Sequence, residues 1–198
     1  MTLAQRWFIA LLPPQEMQDY ANAVKQYFAE TYASKKAFSS PPHVTIQPPF
    51  VWELSDRPRL EASLREFAAA RSAFPVTLSG FAAFPPRVIF IDVQLSPDLL
   101  QLHDDLVAYL ETALGIVDRR EQSRPFRPHM TVAFRDLTKE NFRRAWPEFQ
   151  NRAIELAGQP QDPYCFQADR LTLLQHDGRR WTVAQVFPFG SEDPEEKP

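Results

Sequence analysis

A chain of 198 residues, 44% apolar and 24% charged, has the size and composition of one globular domain with a real core, or of two small lobes. A formal net charge of −3 excludes an overall basic field for capturing long nucleic acid. Cys165 is the single cysteine, which excludes an intrachain disulfide and a cysteine metal cluster.

The first element is "RWFIALLPP", an apolar run that reads as a buried strand ended by a proline pair. Its uninterrupted apolar part, Trp7 to Leu12, is at the short edge for a signal peptide and far too short to span a membrane, so the expectation is a monomeric cytoplasmic protein. Met17, Tyr20, Val24 and Phe28 recur at helical spacing and predict an amphipathic helix over 15–33. "SSPPHVTIQPPF" is too rich in proline for a helix and reads as a short strand, cut short by Pro48-Pro49. Leu60, Leu64 and Phe67 predict a helix over 57–73. Two strands follow, "FPVTLSGFAAF" and "RVIFIDVQL", joined at Pro85-Pro86. Leu99, Leu102, Leu106 and Leu110 mark a helix over 98–114 that Gly115 stops.

The second half resembles the first. A loop over 115–127 leads to the strand "HMTVAF", then to a helix near 138–150. "CFQADRLTLLQ" and "RWTVAQVFPF" predict a hairpin across His176-Asp177-Gly178. Each half thus runs histidine strand, helix, strand, strand, within one bilobal domain over 1–190. The tail at 191–198, "SEDPEEKP", is acidic, capped by proline and expected to be disordered.

The chemistry concentrates in the two histidine strands. Pro42-His43-Val44-Thr45-Ile46 is echoed by Pro128-His129-Met130-Thr131-Val132, 86 residues later. Side chains alternate along a strand, so His43 and Thr45 share one face while Val44 and Ile46 take the other; His129 and Thr131 repeat the arrangement. Given a histidine, chance yields this pattern on the order of one time in two thousand. Imidazole exchanges a proton near neutrality, and a hydroxyl donates to an anion. Two such pairs facing each other make a phosphodiester site. One histidine takes a proton from the attacking water, the other protonates the departing oxygen, and the threonines hold the non-bridging oxygens, with no metal or other cofactor required. Duplication of an inert strand would also give this pattern, as would a cleft that only binds nucleotides or RNA ends.

"PHVTIQPPF" and "RPHMTVAF" resemble the two signature segments of the two-histidine (2H) phosphoesterase superfamily, and the Pro-Pro-Phe ending resembles its 2'-5' RNA ligase-like, cyclic phosphodiesterase branch. The likeness in order and spacing of elements runs over residues 5–189, and its specific part is the two short segments. The resemblance implies an α+β, bilobal fold of pseudo-twofold symmetry, with two antiparallel sheets lining a central cleft and helices outside. It implies opening of 2',3'-cyclic phosphates or action on 2',5'-phosphodiester linkages, with a nucleotide or RNA end as partner. By position, it makes His43 and His129 the catalytic pair and Thr45 and Thr131 the phosphate binders. Many members carry an arginine five residues after the second histidine, where this chain has Phe134. Arg135 follows, about 20 Å along an extended strand from His129, too far to touch the same phosphate.

Other residues carry less. Arg127, two positions before His129, falls on the same strand face and is a substrate-binding candidate. With Arg119, Arg120, Arg124 and Arg135 it forms a local basic cluster leading into the site. Phe50 and Phe126 flank the motifs; either could stack on a base, and both read as core packing. His103 and His176 lack a threonine partner and read as structural or exposed. No metal-ligand spacing, phosphate-cradling glycine loop or nucleophile elbow is present in the sequence.

Overall fold

The computed structural model describes residues 4–117 and 125–190. Arg119, Arg120 and Arg124 of the basic cluster and the acidic tail over 191–198 lie outside the described residues.

Strand β1 (Ala4–Leu11) is buried from Trp7 onward because it becomes an inner strand. It pairs with β2 (Val44–Glu53) on one side and β9 (Arg170–His176) on the other, and β10 (Trp181–Pro188) closes an antiparallel sheet of order β10-β9-β1-β2. The second sheet has order β5-β4-β3-β8, from β3 (Phe74–Phe84), β4 (Val88–Val93), β5 (His129–Ala133) and β8 (Tyr164–Ala168). A two-stranded ribbon of β6 (Glu155–Leu156) and β7 (Gln159–Pro160) was not legible in the sequence. Each histidine segment lies at one edge of its own sheet, and β2 and β5 approach each other across the gap between the sheets.

Among the described residues, four α-helices cover the sheets. α1 (Gln15–Tyr32) and α4 (Lys139–Phe149) pack on the second sheet, while α2 (Arg57–Ala69) and α3 (Pro97–Leu114) pack on the first. Local chemistry sets their ends. Ser96 caps α3 by accepting from the Leu99 amide at 3.2 Å, Pro97 opens it, and Gly115 closes it at φ 69°, a left-handed conformation costly for most side chains. Thr138 caps α4 in the same way through the Asn141 amide. Leu99, Leu102, Leu106, Leu110 and Leu114 form the buried stripe of α3. Each such leucine contributes about 1.5–3 kcal/mol by burial, and Leu106→Ala would cost about 2–5 kcal/mol.

Two expectations are corrected. β2 is not cut short at Pro48-Pro49 but runs on to Glu53. Trp7 pairs with Phe50 and Ile9 with Gln47, so the two prolines stand opposite Phe8 alone, in a bulge on an edge strand. There the missing N–H groups break no ladder. "CFQADRLTLLQ" is not one strand either. It divides at Asp169, with β8 pairing to β3 in the second sheet and β9 pairing to β1 and β10 in the first. The sheets therefore mix the sequence halves. The strands after the first histidine, β3 and β4, join the sheet of the second, and β9 and β10 return to the sheet of the first.

Candidate active site

His43 lies one residue before β2, and Thr45 is the second residue of that strand. Val44 and Ile46 are fully buried, while His43 and Thr45 are half-buried and line a cavity of about 370 Å³. His129 and Thr131 line the same cavity from β5, with Met130 and Val132 fully buried beneath them. The alternation inferred from the sequence thus brings both histidine–threonine pairs to one space between the sheets.

The two imidazoles are held by one backbone device. His43 Nδ1 is 2.7 Å from the Pro41 carbonyl and His129 Nδ1 is 2.8 Å from the Arg127 carbonyl, in each case two residues upstream. A carbonyl only accepts, so Nδ1 carries the hydrogen and Nε2 is the nitrogen through which a proton is exchanged. The proline preceding each histidine holds φ near −65° and helps to fold the chain back so that ring and carbonyl meet.

Their surroundings differ. The His43 ring packs on Phe8 with centroids 4.8 Å apart, and Phe8 packs in turn on Trp181. Burial pushes His43 down to about 4; the Pro41 carbonyl acts in the opposite sense, and positive charge on Lys25 and His129 adds to the depression. Lys25 is a fully buried lysine of α1 whose Nζ donates to the Ser40 carbonyl at 3.0 Å, and burial pushes it down to about 8. His129 instead stands edge-on to Phe84, with centroids 5.0 Å apart, and tilted against Phe90 at 5.1 Å. Across the ladder, its partner is Asp92, whose carboxyl burial pushes upward.

The cavity is cationic although the chain is acidic. Arg6, Lys36 and Arg135 line it, and among the described residues no aspartate or glutamate does. Arg135 corrects an expectation. The strand ends at Ala133, and Arg135 takes φ 43°, so the chain turns back and the extended-strand distance of the sequence argument does not apply. Asp136 stabilises the turn. Its carboxylate accepts from Ser34 Oγ at 2.9 Å and from the Lys35 and Lys36 amides at 2.7 and 2.9 Å, tying the approach to the first histidine to the end of the second strand.

Arg6, Lys36, His176 and Trp181 escaped sequence reasoning as site residues. Arg6 had a signal: it precedes Phe8 by two on β1, and both face the cavity, with the Arg6 guanidinium 5.3 Å from the Trp181 ring centre. Lys36, in the 3₁₀ turn Lys36–Ser39, had none. His176, read as structural or exposed, ends β9, lines the cavity and meets Trp181 edge-on at 4.9 Å. Arg127 does not line this cavity. It lines a second one, of about 480 Å³, which adjoins the first at Thr45 and His129. His103 also reaches this second cavity, stacked on Phe126 with centroids 4.0 Å apart and planes 15° apart.

The profile of the 2'-5' RNA ligase superfamily matches residues 13–180 of the chain. The chain belongs to that superfamily. Curated relatives match the chain over nearly its whole length: a protein of Geobacillus sp. strain WCH70 named "putative phosphoesterase" is 26% identical over 96% of this chain and 99% of its own. One of the same name from Oceanobacillus iheyensis is 29% identical over 94% and 99%. Among solved structures, Escherichia coli LigT complexed with 3'-AMP superposes with a TM-score of 0.62 at 18% identity, covering 96% of this chain and all of that one. TT0787 of Thermus thermophilus gives 0.61 at 20% identity, covering 94% and 99%. These likenesses establish the α+β fold with paired antiparallel sheets and four helices. No described helix is long and apolar enough to cross a membrane.

Proposed function

We propose that this superfamily member is a metal-independent phosphoesterase that opens cyclic phosphates of the 2',3' type, or acts on 2',5'-phosphodiester linkages, by two-histidine acid–base catalysis. The observation that carries the reading is that His43, Thr45, His129 and Thr131 line one cavity together with three cationic side chains. A phosphodiester is an anion that gains charge on its equatorial oxygens at the transition state. Two hydroxyl donors and Arg6, Lys36 and Arg135 are suited to hold it.

The asymmetry around the imidazoles supports a division of labour. At neutral pH His43 is unprotonated, because its imidazole titrates near 4, and an unprotonated imidazole is the base. His129 has Asp92 across the ladder, where paired residues put their Cβ atoms about 5 Å apart. With the base's part taken by His43, the acid's part falls to His129. In the forward step the oxygen of water bonds to phosphorus and its proton passes to Nε2 of His43. The bond from phosphorus to the departing ribose oxygen breaks, and that oxygen takes the proton from Nε2 of His129. The product is a phosphomonoester and a free hydroxyl; the two histidines then exchange their protons with solvent.

The test is turnover of nucleoside 2',3'-cyclic phosphates, ADP-ribose cyclic phosphate and 2',5'-dinucleotides, each with and without EDTA. Turnover of at least one, unchanged by the chelator, is expected. Activity lost to EDTA and restored by a divalent ion would overturn the metal-independent scheme. Binding without turnover of any of them would leave a nucleotide- or RNA-end-binding protein.

A further inference from the structure

The segment that leads from α1 to the first histidine, residues 33–42, has little regular structure beyond the 3₁₀ turn Lys36–Ser39. It nevertheless supplies Lys36, Ala37, Ser39 and Ser40 to the wall of the cationic cavity. Its hold comes from other elements. At the far end Lys25 Nζ donates to the Ser40 carbonyl, and the Pro41 carbonyl meets His43 Nδ1. At the near end the Asp136 carboxylate takes three hydrogen bonds: Oδ1 accepts from Ser34 Oγ, and Oδ2 accepts from the Lys35 and Lys36 amides. Asp136 itself lines neither cavity.

The backbone on both sides of this clamp is strained. Among the described residues only Ala33, Arg135 and Ala157 take positive φ without being glycine, and the first two flank the clamp, at 54° and 43°. The left-handed conformation crowds Cβ against the following carbonyl and persists where neighbouring contacts over-determine it. Ser34 is buried and Asp136 half-buried, so water competes poorly for these hydrogen bonds. Arg135 lays its guanidinium 4.6 Å from the centre of the Phe134 ring, and both residues line the cavity. One carboxylate thus fixes two of the three cations of the cavity, Lys36 through its amide and Arg135 through the turn that follows β5. The two cations come from opposite halves of the sequence.

We infer that Asp136 is a positioning residue for the proposed reaction: it holds Lys36 and Arg135 so that both face one anion, and it touches no reacting atom. The inference rests on the phosphoesterase reading and adds to it a residue that acts only through others. It carries a sign of its own. By Coulomb's law a carboxylate near an anion site opposes binding, and its removal should help. Positioning predicts the opposite, because Lys36 and Arg135 lose their places when the carboxylate goes.

The experiment measures kcat/KM for adenosine 2',3'-cyclic phosphate and, by calorimetry, affinity for inorganic phosphate, on the parent, Asp136→Ala, Asp136→Asn and Glu148→Ala. Asp136→Ala should weaken phosphate binding and lower kcat/KM about 10- to 100-fold, the effect of misplacing a contact by about 1 Å. Both limbs of its pH profile should stay in place, since His43 is held from the Lys25 end. Asp136→Asn should remain within about threefold of the parent: its amide oxygen can accept from the two backbone N–H groups while its amide nitrogen donates to Ser34 Oγ. Glu148 is the matched control. It accepts from the Tyr27 and Tyr32 hydroxyls and so ties α4 to α1 away from both cavities. Glu148→Ala should stay within about twofold of the parent. In a Lys36→Ala, Arg135→Ala background, Asp136→Ala should cost at most about twofold, because the residues through which it acts are gone. If Asp136→Ala folds poorly, Ser34→Ala removes one donor from the clamp and should give a smaller fall that also vanishes in that background. Unchanged or improved kcat/KM in Asp136→Ala, an undiminished loss in the double background, or no rescue by Asp136→Asn would overturn the inference and leave the phosphoesterase reading standing. A parent that turns nothing over, yet loses phosphate affinity with Asp136→Ala, would end that reading and keep the clamp; equal affinities in such a parent would end both.

Discussion

The edges of β2 and β5 are built alike and furnished differently. Both carry proline, histidine, apolar residue and threonine, and in both the imidazole Nδ1 meets a carbonyl two residues back. Around His43 the neighbours are Phe8 and the buried, positively charged Lys25; around His129 they are Phe84, Phe90 and the cross-strand Asp92. Duplicated motifs can thus supply identical side chains while the fold gives each different neighbours, which is the asymmetry on which the proposed base and acid roles rest. The strand pattern provides the reach of each group, and the packing provides its surroundings.

The comparison breaks first at the histidines themselves. His43→Ala and His129→Ala should each lower turnover about 10²- to 10⁴-fold, and the double variant should lose far less than the product, since the pair acts as a unit. Steady-state rates on any substrate of the parent check this; full activity in the double variant would end the reading.

The next consequence is pH. The base must be unprotonated, so the acid limb of kcat/KM should fall as pH drops through about 4, well below the ordinary histidine range. Stability carries the same signature. The folded protein holds His43 near 4 and the unfolded chain near 6.5, so as pH falls the unfolded state takes up the proton first. The contribution is fully present above pH 6.5 and lost progressively down to about 4, amounting to at most about 3 kcal/mol. Urea unfolding at pH 7 and pH 4.5 should show this loss in the parent and a smaller one in His43→Ala. An acid limb at 6.5, or equal losses in both proteins, would show that burial does not control this imidazole.

Thr45→Val and Thr131→Val sharpen the comparison at lower amplitude. Each removes a neutral donor, worth about 2- to 12-fold in rate. Thr45 borders both cavities, so its loss should be the more dependent on which substrate is used. The smallest effect belongs to Lys25→Met. Removing that charge takes away one of the forces that depress His43, so the acid limb should move upward, with the alkaline limb unmoved. A uniform drop in rate without a shift would mean that Lys25 acts only through the Ser40 carbonyl and the backbone leading to His43.

Local pattern determined a good deal of this molecule. Helical spacing placed α1, α2 and α3 to within a few residues, because an amphipathic stripe and its caps are read from neighbours in the chain. Period-2 alternation put His43 with Thr45 and His129 with Thr131, because side-chain direction in a strand is a local property. What depended on distant partners was decided only by the tertiary structure. β2 passes through Pro48-Pro49 because it is an edge strand, and the chain splits at Asp169 because two different sheets compete for its halves. Arg135 reaches the cavity because Asp136 binds Ser34 and the next two amides about 100 residues away, which turns the backbone where an extended chain would have carried the side chain out of reach. His103 and His176 were set aside for want of a threonine neighbour, yet β9 and α3 bring them to the walls of the two cavities. The kinds of group that meet in the cleft follow from short-range geometry. Which cations join them, how dry each imidazole is, and whether one space or two open beside the histidine–threonine pairs follow from packing between segments that the sequence keeps far apart.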